Sequence, residues 1–261
     1  MSRREIRAAR AIVTGASSGI GRAVALEMAR QGARLVAVAR RLERLAELAR
    51  QIADAGGRVE TVAGDITDPA VRHKTIEAAQ SVFGGLDILV NNAGVGVVGR
   101  FDQSDAQRLR YVMEVNFFAT VEMTRLALPL LRQGRDPILV NISSILGRRG
   151  VPYNSEYSAS KFAVQGFSEA LRAELAGQGI DVLVVNPGTT ETEFFDRAMY
   201  GTGKPAWPEH APVRPEAVAR QVVRAMRRGK HEIIPFFWGR VMCWLNRLSP
   251  GLMDRIMARY V

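Results

Sequence analysis

Short apolar runs rich in valine, isoleucine and leucine alternate along the chain with longer stretches of helical pattern. The runs that predict strands are 11–13, 34–39, 59–63, 86–90, 138–142, 180–186 and 232–235. The stretches that predict helices are 19–31, 41–55, 69–83, 105–132, 156–178 and 215–228. This alternation favours an α/β fold, in which helices cover both faces of a doubly wound parallel sheet of about seven strands.

The chain length agrees with this fold. A single α/β unit of 261 residues is ordinary, and no repeat, low-complexity tract or linker divides the sequence. We therefore expect a single domain over residues 1–261. Cys243 is the only cysteine, which excludes an intrachain disulfide, and the three histidines lack the spacing of metal ligands. We expect no metal site.

No apolar stretch is long enough for a signal peptide or a membrane span, so we expect a cytoplasmic protein. The net charge of +10 comes mainly from arginines scattered along the predicted helices. A surface biased towards arginine explains this charge, and a partner with phosphates or an anionic lipid surface is the alternative. Nucleic-acid binding is not expected, because there is no helix-turn-helix pattern and no basic stripe with interleaved aromatics.

A glycine-rich segment from Thr14 to Gly21 lies between the first strand and the first helix. Its glycines allow the backbone to approach a pyrophosphate, and the helix amino terminus behind them presents free N–H groups and a partial positive charge. The spacing is Gly-x-x-x-Gly-x-Gly, which differs from the commoner phosphate-binding patterns. Because any tight turn needs glycine, a purely structural role stays open on this segment alone.

A phenol, a cation and a hydroxyl are supplied by Tyr157, Lys161 and Ser144. Four residues span about one helical turn, so Tyr157 and Lys161 share a helix face. An adjacent ammonium stabilises a phenolate and lowers the pKa of the phenol, which then exchanges a proton with a carbonyl oxygen. Taken alone, the pair also fits two unrelated residues on the surface of an amphipathic helix.

Over residues 9–235 the chain resembles the short-chain dehydrogenase/reductase family. The motifs that carry the resemblance follow in the family's order: Thr14 to Gly21, Asp65, Asn91-Asn92-Ala93-Gly94, Asn116, Asn141-Ile142-Ser143-Ser144, Tyr157 with Lys161, and Asn186-Pro187-Gly188 leading to Thr192. The resemblance implies a Rossmann-type enzyme that interconverts a carbonyl and an alcohol. An epimerase or a dehydratase is the nearer alternative, since a fold does not fix a reaction, and a non-catalytic NADP(H) sensor is the more distant one.

The same resemblance implies the roles of individual residues. Tyr157 is expected to act as general acid and base, Lys161 to lower the Tyr157 pKa and hold the nicotinamide ribose, and Ser144 to bind the substrate oxygen. Asn116 is expected to steady a water chain from the lysine to solvent, with a satisfied core amide as the alternative. The expected cofactor-binding residues are Gly15, Ser17, Ser18, Gly19, Ile20, Gly21, Arg40, Asp65, Ile66, Asn92, Ala93, Gly94, Tyr157, Lys161, Pro187, Gly188 and Thr192.

The end of the second strand predicts which dinucleotide binds. An acidic residue there would bind the adenine ribose 2′-hydroxyl of NAD, but this chain has Ala39, Arg40 and Arg41. An uncharged side chain removes repulsion against a 2′-phosphate, and Arg40 can hold that phosphate through its planar fork. We therefore predict NADP(H), with Ser17 adding a hydrogen bond. The alternative is that Arg40 only caps a helix start.

Residues 193–215 follow the sixth predicted strand and combine aromatic side chains with glycines and prolines, as expected of a lid over an apolar ligand. The large apolar residues of this segment are Phe194, Phe195, Met199, Tyr200 and Trp207. The residues expected on the opposite wall are Val95, Val97, Val98 and Leu146. This composition predicts a bulky, mainly apolar carbonyl or alcohol, without separating steroid-like, fatty-acyl and small ketone substrates.

The carboxyl-terminal segment, 236–261, is both apolar and basic. Ser249 and Pro250 predict the start of its last helix. Three roles are open for the segment: a cover for the substrate pocket, a subunit interface, or an anchor on a membrane surface. We expect a homodimer or homotetramer, and peripheral contact with the inner membrane surface through 236–261 stays open.

Overall fold

A computed structural model of the protein describes residues 4–194, 198–201 and 211–260. The strands are β1 Arg10–Thr14, β2 Arg34–Ala39, β3 Arg58–Ala63, β4 Ile88–Asn91, β5 Val97–Val98, β6 Ile138–Ile142, β7 Asp181–Val185, β8 Met199–Tyr200 and β9 Glu232–Ile233. Seven of them form one sheet in the order β3-β2-β1-β4-β6-β7-β9, and all neighbouring pairs in it are parallel. β5 and β8 pair separately, also in parallel.

Helices connect the strands and cover the sheet. They are α1 Gly19–Arg30, α2 Leu42–Asp54, α3 Pro69–Phe83, α4 Ala106–Met113, α5 Ala119–Leu131, α6 Ser155–Ala176 and α7 Pro215–Arg227. Two more, α8 Phe237–Leu248 and α9 Pro250–Met257, follow the last strand. Within the described ranges, none of the helices combines the length and the apolarity that crossing a bilayer requires.

The core lies on both sides of the sheet, because successive strand residues point to opposite faces and most of them are apolar. Val13 and Leu35 pack on the side covered by α1, α2 and α7. Ile12 and Val36 pack on the side covered by α3, α5 and α6. The doubly wound parallel sheet predicted from the sequence is confirmed.

Two local features differ from the predicted elements. The stretch 105–132 is not one regular helix, because a π-helical segment, Glu114–Phe118, separates α4 from α5 and widens one turn. The strands β5 and β8 have only two residues each, too few to produce an alternating pattern in the sequence. Both features lie close to the crevice described next.

The strand order reverses at β1. The chain runs outward from β1 through β2 to β3, and then crosses back to place β4 on the other side of β1. In an open parallel sheet, such a reversal leaves a crevice at the carboxyl ends of the two central strands. The glycine segment after β1 and the Asn92-Ala93-Gly94 segment after β4 therefore begin at the same edge.

Asp87 lies just before β4, at the amino-terminal ends of the strands, on the side of the sheet opposite the crevice. Its carboxylate accepts hydrogen bonds from the Arg10 guanidinium at 2.7 Å, the Arg10 backbone N–H at 2.8 Å and the Arg135 backbone N–H at 2.7 Å. Burial alone acts to raise the pKa of Asp87, but the bonds from Arg10 and Arg135 outweigh it, so the pKa is lowered. The ionised carboxylate therefore stabilises the fold.

We expect Asp87→Asn to lower the free energy of unfolding at neutral pH by about 2–4 kcal/mol, because the Arg10 guanidinium loses its charged partner. A lowered folded pKa contributes stability above the unfolded value of 3.8, and this contribution is lost as the pH falls. The difference from wild type should therefore shrink in acid. Urea unfolding at neutral and acidic pH measures it, with Asp102→Asn, an exposed carboxylate, as control. An equal deficit at both pH values would contradict the electrostatic account.

Candidate active site

The glycine segment turns tightly at the carboxyl end of β1 and approaches the end of β4. Gly15 and Gly19 have positive φ values of 66° and 54°, a conformation that other residues rarely adopt. A Cβ on Gly15 would lie 2.7 Å from Asn92 Nδ2 and 2.9 Å from Ala93 Cα, so a larger residue does not fit. Glycine is therefore required where the turn packs against the end of β4, and the turn lines a cavity at the amino terminus of α1.

Thr14 and Asn92 hold the two strand ends together. Thr14 Oγ1 accepts hydrogen bonds from the backbone N–H groups of Asn92 and Ala93, both at 3.0 Å. Asn92 Nδ2 donates to the Thr14 and Gly15 carbonyl oxygens at 3.0 and 3.2 Å. Gly21 also packs against this closure, since a Cβ there would lie 2.3 Å from Asn92 Nδ2, and its contact with a cofactor stays a prediction.

Arg41, rather than Arg40, reaches into the glycine turn. Its Nη2 lies 2.7 Å from Ser18 Oγ and 3.3 Å from Ser17 Oγ, and its Nη1 donates to Glu193 Oε2 at 2.7 Å. Arg40 lines the same cavity with a largely exposed guanidinium. The sequence did not identify Arg41 as a candidate ligand, because two adjacent arginines at a strand end cannot be ranked before the start of α2 is known.

Asp65 and Ile66 follow β3 at the same edge of the sheet. One carboxylate oxygen of Asp65 accepts hydrogen bonds from the backbone N–H and the hydroxyl of Thr67, both at 2.9 Å. The other lies 3.8 Å from Arg40 Nη1. Asp65 therefore closes the turn before α3 and also faces the cavity, which Ile66 lines beside it.

Ser144, Tyr157 and Lys161 meet where β6 ends and α6 begins. Lys161 Nζ lies 5.7 Å from the centre of the Tyr157 ring and donates to the Ile142 carbonyl oxygen at 3.0 Å. Ser144 Oγ accepts a hydrogen bond from the Leu146 backbone N–H at 3.1 Å, and Ser144 lies near enough to Tyr157 to act on the pKa of its phenol through a side-chain hydrogen bond. The structure thus brings together the phenol, the cation and the hydroxyl predicted from the sequence.

Desolvation shifts the proton affinities of Tyr157 and Lys161. Although Tyr157 as a whole is only half-buried, protein atoms surround its hydroxyl and raise its pKa well above the usual range, while the bond with Ser144 acts to lower it. Burial lowers the pKa of Lys161 to about 8. That Lys161 lowers the Tyr157 pKa stays a prediction, since its Nζ is bonded here to the Ile142 carbonyl oxygen.

Asn116 lies on the π-helical segment and is buried. Its Nδ2 donates to the Val95 carbonyl oxygen and to Ser160 Oγ, both at 3.0 Å, and its Oδ1 accepts from the Val95 N–H at 2.8 Å. These bonds fix the loop after β4 against α6. A Cβ on Gly94 would lie 3.1 Å from Asn116 Oδ1 and 3.6 Å from Lys161 Nζ, so both residues face one small space. The water chain expected there stays a prediction.

The segment after β7 passes over the glycine turn and the tyrosine. A Cβ on Gly19 would lie 3.0 Å from Thr192 Cγ2, and the ring centres of Phe194 and Tyr157 are 5.7 Å apart. The beginning of the expected lid therefore covers both parts of the crevice. Of the expected lid, residues 195–197 and 202–210 lie outside the described ranges, and these include Phe195 and Trp207.

A cavity of about 420 Å³ joins these parts. The expected site residues that line it are Gly15, Ser17, Ser18, Gly19, Ile20, Arg40, Asp65, Ile66, Asn92, Ala93, Gly94, Ser144, Tyr157, Lys161, Pro187, Gly188 and Thr192. The apolar wall residues Val95, Val97, Val98 and Leu146 line it as well. Arg41, Asn154 and Glu193 also line the cavity, although none of them was predicted from the sequence as a catalytic or cofactor-binding residue. Among the described residues, no three His, Cys, Asp or Glu side chains gather where they would hold a metal ion.

Comparison with known proteins agrees with this geometry. Residues 9–200 match the family model described as short chain dehydrogenase. The ketoacyl reductase HetN of Nostoc sp. is 31% identical over 252 residues, which cover 94% of this chain and 86% of that protein. A solved short chain dehydrogenase/reductase from Burkholderia phymatum, in complex with NAD, has a TM-score of 0.87 and 25% identity, covering 96% of both chains. A short chain dehydrogenase from Burkholderia cenocepacia, in complex with NADP, has a TM-score of 0.77 and 28% identity, covering 88% of this chain and 97% of that one.

The fold and the crevice define an oxidoreductase with a Rossmann-type nucleotide-binding domain. The chain belongs to the short-chain dehydrogenase/reductase family. The resemblance seen in its motifs is therefore confirmed at the level of family and fold. The roles of individual residues and the choice between NAD and NADP are taken up below as proposals.

We expect Lys161→Met to stabilise the protein in a pH-dependent way. Because the folded pKa of Lys161 is lowered from 10.5 to about 8, the cost of keeping the ammonium buried is complete below pH 8 and vanishes above pH 10.5. A shift of this size corresponds to a difference on the order of 3 kcal/mol. Urea unfolding at increasing pH should show the gain of the variant over wild type shrinking through this window. Lys74→Met, an exposed site, is the matched control, and a gain that does not change with pH would contradict the desolvation of Lys161.

Proposed function

We propose that the protein is an NADP(H)-dependent oxidoreductase that interconverts a ketone or aldehyde and an alcohol on a bulky, mainly apolar substrate. The observation that carries the proposal is that Ser144, Tyr157 and Lys161 share one cavity with the glycine turn. When hydride is added to a carbonyl carbon, negative charge develops on the oxygen and must be met by a proton. A proton donor beside a dinucleotide site supports that chemistry.

The residues of the crevice fit a nicotinamide dinucleotide. The backbone at Gly15 and Gly19 lines the cavity at the amino terminus of α1, where N–H groups would bind a pyrophosphate. Arg41, Ser17 and Ser18 form a cluster of hydrogen-bond donors at the neighbouring end of β2. When bound, such a cofactor supplies or accepts the hydride.

Tyr157 donates its proton to the carbonyl oxygen during reduction and takes it back during oxidation. Its raised pKa keeps it protonated at neutral pH, as a donor must be. Ser144, which lines the cavity beside Tyr157, would hold the same oxygen and share the negative charge. Lys161 has a pKa of about 8, so it is mostly protonated at neutral pH and stabilises the phenolate that remains after proton transfer.

The proton lost by Tyr157 has to be replaced from solvent. Asn116 Oδ1 and Lys161 Nζ both face the space beside Gly94, within 3.1 and 3.6 Å of where a Cβ would be. We infer that water held in this space connects Lys161 to solvent. Because Asn116 also bonds Val95 and Ser160, its orientation is fixed, as a relay requires.

The preference for NADP(H) is inferred from Ala39, Arg40 and Arg41. Ala39 brings no carboxylate to the ribose 2′-hydroxyl, and Arg41 presents N–H groups that bond Ser18 and Glu193 at 2.7 Å. A 2′-phosphate would accept hydrogen bonds from the same guanidinium, and Arg40 supplies a second cation beside it. Solved relatives include complexes with NAD and with NADP, so these local residues carry the inference.

The substrate class is inferred from the wall opposite the lid. Val95, Val97, Val98 and Leu146 present an apolar surface, and Phe194 covers Tyr157 from the other side. A substrate with a large apolar part would bury against this surface with its carbonyl directed to Tyr157. The relative from Nostoc sp. carries the name ketoacyl reductase, which agrees with carbonyl chemistry on a substrate of this kind.

We expect Tyr157→Phe to reduce NADPH-dependent turnover by a factor on the order of a hundred to ten thousand, because the proton donor is lost. Absorbance of NADPH with a panel of steroid-like, acyl and small ketones measures turnover, and fluorescence titration measures the Kd for NADPH. The Kd should stay close to that of wild type. Tyr153→Phe, a neighbouring tyrosine outside the cavity lining, is the control.

Residual activity of Tyr157→Phe above a few per cent would remove the proton-donor role. If wild type bound NADPH tightly but turned over no member of the panel in either direction, a non-catalytic binding protein would be the better conclusion. The two results separate a wrong residue role from a wrong protein class.

We expect Arg41→Ala to lower kcat/KM for NADP⁺ about ten-fold or more, and to change kcat/KM for NAD⁺ much less, because only NADP⁺ carries the 2′-phosphate. Steady-state kinetics with a fixed alcohol and each cofactor in turn gives the ratio. Arg44→Ala is the matched control: Arg44 Nη2 lies 3.6 Å from Glu193 Oε1, but Arg44 is not part of the cavity lining. Equal losses of kcat/KM with NADP⁺ and NAD⁺ would contradict a contact with the 2′-phosphate. They would mean that Arg41 acts only by holding Glu193, at the start of the expected lid.

A further inference from the structure

An apolar stripe runs along the solvent side of α8. Phe237, Val241, Trp244 and Leu248 recur at i, i+4, i+7 and i+11, so they share one helix face. Phe237, Trp244 and Leu248 are 60%, 61% and 62% exposed. We call these four residues the α8 apolar face. An amphipathic helix normally turns such a stripe towards the core, and here the stripe points outward.

The opposite side of α8 is held firmly against the body of the protein. Gly239 is buried there, and a Cβ on it would lie 3.0 Å from Ile145 Cγ2. Asn246 Oδ1 accepts a hydrogen bond from Arg149 Nη1 at 3.0 Å, and Asn246 Nδ2 donates to the Arg148 carbonyl oxygen at 3.4 Å. Close packing and polar bonds therefore fix the rotation of the helix. The exposure of the α8 apolar face follows from this docking.

Arginines border the α8 apolar face. Arg240 and Arg247 lie along one edge of it at helical spacing, and the Arg240 guanidinium carbon lies 5.7 Å from the centre of the Phe237 ring. Segment 236–261 contains four arginines and one acidic residue, Asp254. Because Asp254 pairs with Arg149 at 2.6 Å, the border of the face is strongly basic.

We propose that the α8 apolar face docks on an anionic lipid surface, with α8 lying in the plane of the membrane interface. Exposed Trp and Phe with Leu on one side and Arg at the border are typical of helices that lie in the headgroup region. The arginines complement anionic headgroups, and the aromatic rings and leucine enter the boundary with the acyl chains. The arginines at the border, Arg240 and Arg247, thereby account for one part of the excess of arginine in the sequence.

Charge favours a lipid surface over a second copy of the chain. Two copies that met through this face with their α8 helices antiparallel would bring Arg240 and Arg247 of one to the same side of the interface as the same arginines of the other. Like charges at the rim of an interface oppose association, whereas anionic headgroups attract both arginines. A second copy is therefore the alternative that the experiment has to separate.

Docking in this way would place the cavity close to the lipid. The ring of Phe236, which precedes α8, packs against Gly188: a Cβ on Gly188 would lie 2.8 Å from it. Gly239 of α8 packs against Ile145. Gly188 and Ile145 both line the cavity. Provided that the proposed function is correct, an apolar substrate would then have a short path from the membrane. The docking itself does not depend on that function.

Flotation of the full-length chain with vesicles tests the proposal without an activity assay. Wild type should float with vesicles made of equal parts phosphatidylcholine and phosphatidylglycerol, and much less with phosphatidylcholine alone. Trp244→Ser combined with Leu248→Ser should lower the partition coefficient about ten-fold or more, because the apolar contact is lost. Val82→Ser combined with Phe101→Ser, two exposed apolar residues elsewhere on the surface, is the matched control and should bind like wild type.

Charge gives an independent arm of the test. Arg240→Gln combined with Arg247→Gln should weaken binding to the phosphatidylglycerol vesicles about ten-fold, with little change on phosphatidylcholine vesicles. Circular dichroism and thermal unfolding establish that each variant is folded. Wild type that fails to float with anionic vesicles would overturn the proposal, as would equal partitioning of wild type and the Trp244/Leu248 variant.

Sedimentation velocity in the absence of lipid separates the second copy from the lipid surface. If the α8 apolar face meets lipid, the Trp244/Leu248 variant keeps the oligomeric state of wild type and loses vesicle binding. If the variant instead dissociates to a smaller species while wild type does not float, the face is a subunit interface and the proposal is wrong.

Discussion

The carboxyl ends of β1 and β4 lie so close together that the side chains of Thr14 and Asn92 bridge them directly. This closeness explains why Gly15 and Gly21 carry no side chain, since a Cβ at either position would collide with Asn92. It also sets the path of the chain after β4, which brings Val95 within reach of Asn116. The crevice beside the glycine turn and the surroundings of Tyr157 therefore both depend on the position of the β1 and β4 ends. A change at these strand ends would disturb both.

Burial then gives the cavity its chemical character. The same removal of water acts in opposite directions on a phenol and on an amine, raising the pKa of Tyr157 and lowering that of Lys161. Tyr157 thus stays protonated at neutral pH, and Lys161 is a cation whose pKa of about 8 lies only slightly above neutral pH. Ser144 acts against the shift of Tyr157 through one hydrogen bond. Pairs of titratable groups whose environments move their pKa values are typical of catalytic sites.

Much of the fold could be predicted from the sequence, because most strands and helices are long enough to show their period. Ser144 could also be located, because it comes two residues after β6, a strand whose carboxyl end faces the crevice. Arg41 could not be chosen over Arg40, because the direction of each side chain depends on where α2 begins. The two-residue strand β5 shows no period, and its pairing with β8 is set by tertiary packing. The sequence showed that 236–261 is both apolar and basic, but not which side of α8 meets the protein, since this depends on Gly239 fitting against Ile145.

The π-helical segment Glu114–Phe118 makes the helix intolerant of inserting or deleting a single residue at this point. A π turn contains an extra residue, so deleting one residue would restore the regular α-helical period and rotate α4 by about 100° relative to α5. Arg108 would then move away from Glu156, with which it now forms a buried ion pair at 2.6 Å. Glu156 immediately precedes the tyrosine in the chain. Insertions and deletions that most loops accept should therefore be excluded from this helix during evolution.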